Sequence, residues 1–154
     1  MTMNNLKFHL ATKEDLPKII ELLADDELGK KRENYQLPLP KEYIEAYKNI
    51  SSDLNQELTV ALLDKEVVGC FHLSFIQYLT YQGGIRAQIE AVRTKSTFRG
   101  KGIGNKMFLY AIDQAKNRGA HVLQLTTDKK RPDAKHFYEA LGFVPSHEGM
   151  KLHF

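Results

Sequence analysis

The clearest chemical signal lies in a glycine-rich segment, Arg99-Gly100-Lys101-Gly102-Ile103-Gly104. A strand-like run from Gln88 to Thr94 precedes it, and an amphipathic helix is predicted to follow. Free backbone N–H groups and the positive end of the helix dipole form a cradle for an anion such as a pyrophosphate. Glycine suits the cradle because a Cβ would keep phosphate oxygens away from the amides. The alternative is a plain strand-to-helix turn.

The predicted helix and its loop differ from the better-known phosphate sites. Apolar residues at fourfold spacing mark the buried side of the helix: Ile103, Met107, Ala111 and Ala115, with Phe108 and Ile112 beside them. Gly119 then ends it after a cationic last turn. The pattern GxxxxGK[ST] occurs nowhere, and GxGxxG fails because Asn105 replaces its third glycine.

The pattern Arg-x-x-Gly-x-Gly resembles the GNAT family of acetyl-CoA-dependent N-acetyltransferases, in which this segment binds the coenzyme pyrophosphate. Two further stretches look similar to the family: Ile89 to Val92 resembles its fourth strand, and Phe137-Tyr138-Glu139-Ala140-Leu141-Gly142-Phe143 its FYExxGF ending. The start, Phe8 to Thr12, resembles the opening strand. The resemblance implies acetyl-CoA as cosubstrate and requires no metal. It places the cofactor on Ala91, Val92, Arg93, Arg99, Gly100, Lys101, Gly102, Ile103, Gly104, Asn105 and Arg131.

Arg131 marks a departure from the family pattern. Many members carry an asparagine three residues before the alanine of the last helix, and counting back from Ala134 gives Arg131. Its positive side chain either substitutes through a phosphate contact or leaves that contact out.

The length and composition fit one domain, residues 1–154, with 42% hydrophobic and 27% charged residues. Strands alternating with helices predict a mixed α/β domain of three layers, with a mostly antiparallel sheet and helices on both faces. Strands are predicted at residues 7–11, 59–63, 66–78, 86–94 and 122–126, with final segments at 143–144 and 150–153. Helices are predicted near residues 14–23, 41–50 and 133–141, and residues 29–40 are expected to form a mobile loop.

The net charge of +3 is distributed unevenly. From Arg86 to Arg131 there are eleven Lys or Arg residues and three acids, a net charge of +8, so the rest of the chain carries −5. A nucleic-acid surface would need interleaved aromatic residues, which this segment largely lacks. A polyphosphate coenzyme explains the basic segment better, so no nucleic-acid partner is expected.

Acetylation of an amine requires removal of a proton, because an alkylamine is protonated at pH 7. Glu90 is the candidate base, acting directly or through water. It stands nine residues before Arg99, the spacing at which several GNAT members carry such a glutamate. The alternative is a structural pair with Arg86 or Arg93.

Two other groups complete the expected chemistry. In GNAT proteins the fourth and fifth strands separate, which implies a free backbone N–H at Val92 to stabilise an oxyanion. Tyr138 matches the family tyrosine that protonates the leaving thiolate, since a phenol can donate at neutral pH. Its alternative role is packing against the coenzyme.

The acceptor is the part of the expected reaction that the sequence determines least. The runs Val60 to Gly69 and Lys130 to Ala134, with Ser146-His147, resemble aminoalkylphosphonate N-acetyltransferases within the family. This implies a small primary amine bearing an acidic group, with Ser146 and His147 either lining its pocket or acting as structural caps. Alternatives are a peptide or protein N-acetyltransferase and a non-catalytic CoA-binding regulatory domain.

Cellular context is inferred from absences in the sequence. No signal-like or membrane-spanning apolar run occurs, so a cytoplasmic location without a membrane partner is expected. The single cysteine, Cys70, lies among apolar residues and is predicted to be core rather than a catalytic thiol. A homodimer is left open.

Overall fold

A five-stranded sheet forms the centre of the protein. The computed structural model describes residues 5–154, apart from the side chain of Pro132. The strands are β1 (Leu6–Leu10), β2 (Gln56–Leu63), β3 (Glu66–Gln77), β4 (Ile85–Thr94) and β5 (Ala120–Gln124). The helices are α1 (Leu16–Leu23), α2 (Glu27–Arg32), α3 (Lys41–Ser52), the single turn α4 (Thr80–Gly83), α5 (Ile103–Asn117) and α6 (Pro132–Ala140).

The strands follow one another in chain order, β1-β2-β3-β4-β5. The first four pair antiparallel, and β5 pairs parallel with β4 after the α5 crossover. The predicted mixed, mostly antiparallel sheet is therefore confirmed.

Helices cover both faces of the sheet because side chains alternate along each strand. Met107 and Phe108 of α5 pack with Leu73 and Ile89 on one face. On the other face, Ile19 and Leu22 of α1 pack with Val60 and Cys70. The five buried positions of α5 include all four of the predicted fourfold series, and Gly119 follows the helix with φ +72°. The three-layer α/β prediction is confirmed.

A β-bulge interrupts the pairing of β3 with β4. Cys70 pairs with Arg93 and His72 with Glu90, so Phe71 alone faces the two residues Ala91 and Val92. Ala91 adopts a left-handed conformation with φ +52°.

The sheet also opens next to this bulge. The β4–β5 ladder ends at the pair Gln88 and Gln124, whereas β4 continues to Thr94. The two strands therefore separate where β4 bulges, and this part of β4 has no ladder partner on its β5 side within residues 5–154.

Two sequence predictions near the carboxyl end are wrong. β5 lies at residues 120–124 rather than 122–126, and as an edge strand it leaves Val122 exposed rather than buried. Neither residues 143–144 nor residues 150–153 form a strand. A turn bends the chain where Ser146 N–H donates to Val144 O at 2.9 Å. The apolar residues Met150, Leu152 and Phe154 are exposed and have no ladder partner among residues 5–154.

The predicted loop at residues 29–40 is also partly helical. Its first residues belong to α2, which begins after Asp26, whose carboxylate accepts the Gly29 N–H at 2.6 Å. Gly29 is buried, and a Cβ there would lie 2.0 Å from Leu23 O. Close packing on α1 therefore orders the segment that the polar sequence predicted as a loop. No helix within residues 5–154 is both long and apolar enough to cross a bilayer.

Candidate active site

The glycine-rich segment forms the turn into α5. Gly100 and Gly102 have φ of +72° and +80°, and Gly102 caps the helix. A side chain would be strained at either position. The first intrahelical bond runs from Lys106 N–H to Gly102 O at 3.2 Å, so the amides of Ile103, Gly104 and Asn105 precede it without an intrahelical acceptor. These amides are the ones predicted to form the anion cradle, and that role stays a prediction.

Gly104 lies in the first turn of α5 without any internal need for glycine. A Cβ there would meet Phe137 Cζ at 3.7 Å and Thr94 Oγ1 at 3.9 Å, which are ordinary contacts. The protein itself thus has room for a methyl group that its sequence omits. An open surface beside free amides fits the pyrophosphate of acetyl-CoA.

The opening between β4 and β5 adds an extended slot. From Ala91 to Arg93 the main chain lies beyond the last β4–β5 pair. Unpaired strand edges bind extended ligands through main-chain hydrogen bonds. The slot and the cradle therefore fit the extended arm and the phosphates of one coenzyme.

Arg99 and Lys101 contact neighbouring parts of the protein. Arg99 Nη2 donates to the Asp25 carbonyl at 3.2 Å, and its Nε donates to Thr94 O at 3.2 Å. The Asp25 carboxylate accepts the Ser96 N–H at 3.0 Å. Lys101 Nζ lies 5.0 Å from the centroid of the Phe98 ring. Arg99 thus links the α1–α2 connection to the end of β4 by hydrogen bonds. Its contact with phosphate stays a prediction.

Two glutamine side chains form a chain of hydrogen bonds that ends on the Glu90 carboxylate. Gln88 Nε2 donates to Glu90 Oε1 at 2.6 Å, and Gln124 Nε2 donates to Gln88 Oε1 at 3.0 Å. Glu90 forms no ion pair with Arg86 or Arg93 in the described part of the chain. The structural pairing considered as an alternative is therefore not formed.

His72 was missed by the sequence analysis. It pairs with Glu90 across β3 and β4, and its Nε2 is buried without a hydrogen-bond partner among the described residues. Burial lowers the pKa of His72, although the charge of Glu90 acts to raise it. The available signal was a histidine that interrupts the apolar run Val67 to Leu73.

Tyr138 packs on α5 and the chain that follows α6. Its ring centroid lies 5.4 Å from that of Phe108 and 6.3 Å from that of Phe143. Its ring is thus part of the core edge, which leaves the hydroxyl group as the only part available for chemistry.

Asp26 joins α2, β4 and the start of α6 electrostatically. Arg93 Nε lies 3.5 Å from its Oδ2. Burial acts to raise the pKa of Asp26, but the Gly29 N–H bond and the charges of Arg93, Arg131 and Arg32 lower it below its usual 3.8. Arg131 is therefore close enough to this carboxylate to influence its charge.

Ser146 and His147 line a cavity of about 820 Å³ beside β5. Arg86 and His121 line it as well. Ser146 Oγ and His147 Nδ1 are 2.8 Å apart. Their predicted role in acceptor binding stays a prediction.

A reactive thiol and a metal cluster would be the two other kinds of catalytic site. Cys70 is fully buried, and burial raises the pKa of its thiol to about 12, so it is a neutral core residue at pH 7. Among residues 5–154, no group of three or more His, Cys, Asp or Glu side chains is arranged to hold a metal ion.

Comparison with known proteins identifies the family. The sequence profile of the "Acetyltransferase (GNAT) family" matches residues 17–143. Aminoalkylphosphonate N-acetyltransferase of Salmonella typhimurium is 30% identical over 137 residues, which are 89% of this chain and 84% of that protein.

Solved structures of other proteins share this fold. A protein described as a transcriptional regulator from Bacillus halodurans C-125 has a TM-score of 0.94 at 54% identity, covering 97% of this chain and 99% of that one. A predicted acetyltransferase from Clostridium acetobutylicum, solved with acetyl-CoA, has a TM-score of 0.75 at 20% identity and 96% coverage of both chains, which shows the shared fold. With its sheet opening beside a glycine-capped helix and a profile match over most of its length, the chain belongs to the GNAT acetyltransferase family.

Proposed function

We propose that this protein is an acetyl-CoA-dependent N-acetyltransferase whose acceptor is a primary amine of a small molecule. The observation that carries the proposal is the bulge in β4. It lies where the sheet opens, directly after Glu90. A carboxylate for the amine and a main-chain slot for the coenzyme therefore meet at one point of one strand.

Acetyl-CoA would supply the acetyl group as a thioester. The amides of Ile103, Gly104 and Asn105 bind its pyrophosphate, where the dipole of α5 adds a favourable charge. The main chain of Ala91 to Arg93 binds the pantetheine arm, and the N–H of Val92 donates to the thioester carbonyl oxygen. A fixed donor at this oxygen typically contributes about 10²–10³-fold to turnover.

Glu90 removes the proton of the acceptor amine, directly or through a water molecule. Gln88 donates to its carboxylate and itself accepts a bond from Gln124. These bonds orient the carboxylate, which favours attack because a base must be within hydrogen-bond reach of its proton. The hydroxyl of Tyr138 donates a proton to the departing thiolate of coenzyme A. The two proton transfers, one from the amine and one to the thiolate, are thus assigned to Glu90 and Tyr138.

The acceptor is proposed to carry an acidic group. The relative from Salmonella typhimurium, named for aminoalkylphosphonates, supports this class. Ser146 and His147, on the cavity beside β5, are candidates to contact the rest of the acceptor.

The test is a steady-state assay of coenzyme A release with a panel of small amines, amino acids, aminoalkylphosphonates and peptide N-termini. We expect acetyl-CoA-dependent turnover with small amines and a Glu90→Gln variant that lowers it. Turnover confined to peptides would replace the acceptor assignment. No turnover with any amine, despite coenzyme binding, would contradict an enzymatic role.

A second candidate is a coenzyme A-binding regulatory domain without catalysis. The description of the Bacillus halodurans structure as a transcriptional regulator, at 54% identity, favours it. The same assay separates the two, because a regulatory domain would bind the coenzyme without releasing its thiol.

A further inference from the structure

The bulge brings Arg93 to the face of the sheet that carries Glu90. In a regular strand, residues three apart lie on opposite faces. Here Glu90 pairs with His72 and Arg93 pairs with Cys70, and these two β3 residues share a face. The extra residue in β4 therefore places a carboxylate and a guanidinium on one side of the sheet.

The Arg93 side chain is only 15% exposed, yet its donors are incompletely paired. Nη1 donates to Val92 O at 2.9 Å. Nε is buried without a hydrogen-bond partner among the described residues, although the Asp26 carboxylate lies 3.5 Å away. A buried unpaired donor of a charged group is costly, so such a group in a native protein needs an explanation.

Asp26 is the carboxylate within ion-pair distance of Arg93 in the described part of the chain. It also accepts the Gly29 N–H at 2.6 Å, and the charges of Arg131 and Arg32 act on it as well. Arg32 has its own partner, since its Nε lies 2.6 Å from Glu33 Oε1. The Arg93 donor that Asp26 leaves unpaired can therefore receive a second anion.

Resting on the proposed function, we propose that Arg93 binds the acidic group of the acceptor while Glu90 receives its amine. A guanidinium binds phosphonate, phosphate or carboxylate oxygens through paired hydrogen bonds. Three residues of strand span about 10 Å at most. Two side chains on one face within this distance suit an acceptor whose acidic group lies a few bonds from its amine.

The test compares kcat/KM for 2-aminoethylphosphonate, β-alanine and n-butylamine. In Arg93→Gln, the preference for the anionic amines over n-butylamine should fall about tenfold to hundredfold, the usual scale for a hydrogen bond to a charged group. In Asp26→Asn this preference should rise, because the competing carboxylate is gone while Asn still caps α2. The two acidic amines distinguish a phosphonate from a carboxylate ligand.

Arg118→Gln is the matched control. Like Arg93, Arg118 pairs with a carboxylate, since its Nη1 donates to Glu57 Oε1 at 2.8 Å, but it follows the carboxyl end of α5, outside the proposed site. This variant should keep the wild-type preference. Equal losses for all amines in Arg93→Gln, or a wild-type preference for n-butylamine, would overturn the proposal.

Calorimetry with methylphosphonate provides a readout that does not depend on turnover. Saturating coenzyme A keeps the probe out of the glycine loop. Binding to wild type that is lost in Arg93→Gln supports the anion site, even if no amine is acetylated and the enzymatic proposal fails. Equal binding by both proteins, or none by either, overturns the anion site whatever the assay shows.

Discussion

The carboxylate of Glu90 accepts a hydrogen bond from Gln88 and forms no ion pair with the residues that the structure describes. Glu90→Gln keeps a side-chain oxygen for that bond but removes the base. We expect kcat to fall by about 10²–10³-fold, mostly at and below neutral pH, where the amine is most protonated. The affinity for acetyl-CoA should change little. A pH–rate profile identical to that of wild type would remove Glu90 from the mechanism.

Tyr138 differs from Glu90 because its ring also has a structural role. Tyr138→Phe keeps the contacts with Phe108 and Phe143 and deletes only the hydroxyl group. If the phenol protonates the leaving thiolate, kcat should fall by about 10²-fold or more with both KM values nearly constant. The measurement requires conditions under which chemistry limits the rate. Full turnover under those conditions would make Tyr138 a packing residue only.

At the scale of elements, one substitution in the turn into α5 should weaken coenzyme binding without lowering the stability of the protein. A Cβ on Gly104 makes only ordinary contacts within the protein, and alanine favours a helix over glycine by up to about 1 kcal/mol. Gly104→Ala should therefore keep or slightly raise the free energy of unfolding while it weakens coenzyme A binding. Calorimetry and urea denaturation on the same variant measure both effects.

Gly69→Ala in β3 is the matched control for this prediction. Its Cβ would lie 2.8 Å from Met107 Sδ and 2.9 Å from Arg93 O. Overpacking of this kind costs about 1–3 kcal/mol, so this variant should lose stability. Unchanged coenzyme affinity in a folded Gly104→Ala protein would contradict the cradle.

For the whole molecule, the half-buried His72 makes stability depend on pH. Its pKa in the folded protein lies below the ordinary 6.5, so the unfolded chain binds the proton first as the pH falls. The free energy of unfolding that neutral His72 contributes is fully present above about pH 6.5. It is lost as the pH falls toward the folded pKa, by at most about 1.4 kcal/mol per pH unit. Urea denaturation at pH 7.5 and 5.5 measures this loss.

Variants of His72 test whether this histidine causes the pH dependence of stability. His72→Gln and His72→Phe should both reduce the difference in unfolding free energy between the two pH values, whatever their effect on stability at pH 7.5. His136→Gln, on the exposed side of α6, should behave as wild type. The same pH dependence in wild type and both His72 variants would exclude this histidine as its source.

The sequence alone determined the features that depend on local pattern. The fourfold apolar series predicted the buried side of α5. The strands predicted at residues 59–63 and 66–78 left only Asp64 and Lys65 for the β2–β3 turn, where both have positive φ. The order of residues along the chain also predicted the glycine loop and the position of Glu90 on β4. These predictions succeed because helix periodicity, turn residues and strand alternation are set by neighbours in the chain.

Only the tertiary structure decided which distant groups meet. The bulge that turns Arg93 to the side of Glu90, the pairing of His72 with Glu90 and the Asp26 cluster all depend on strand register and helix docking. The final strand segments were wrong for the same reason. An alternating run such as Met150, Leu152, Phe154 becomes a strand only beside a partner edge, and alternation in the sequence does not reveal whether that partner is in reach.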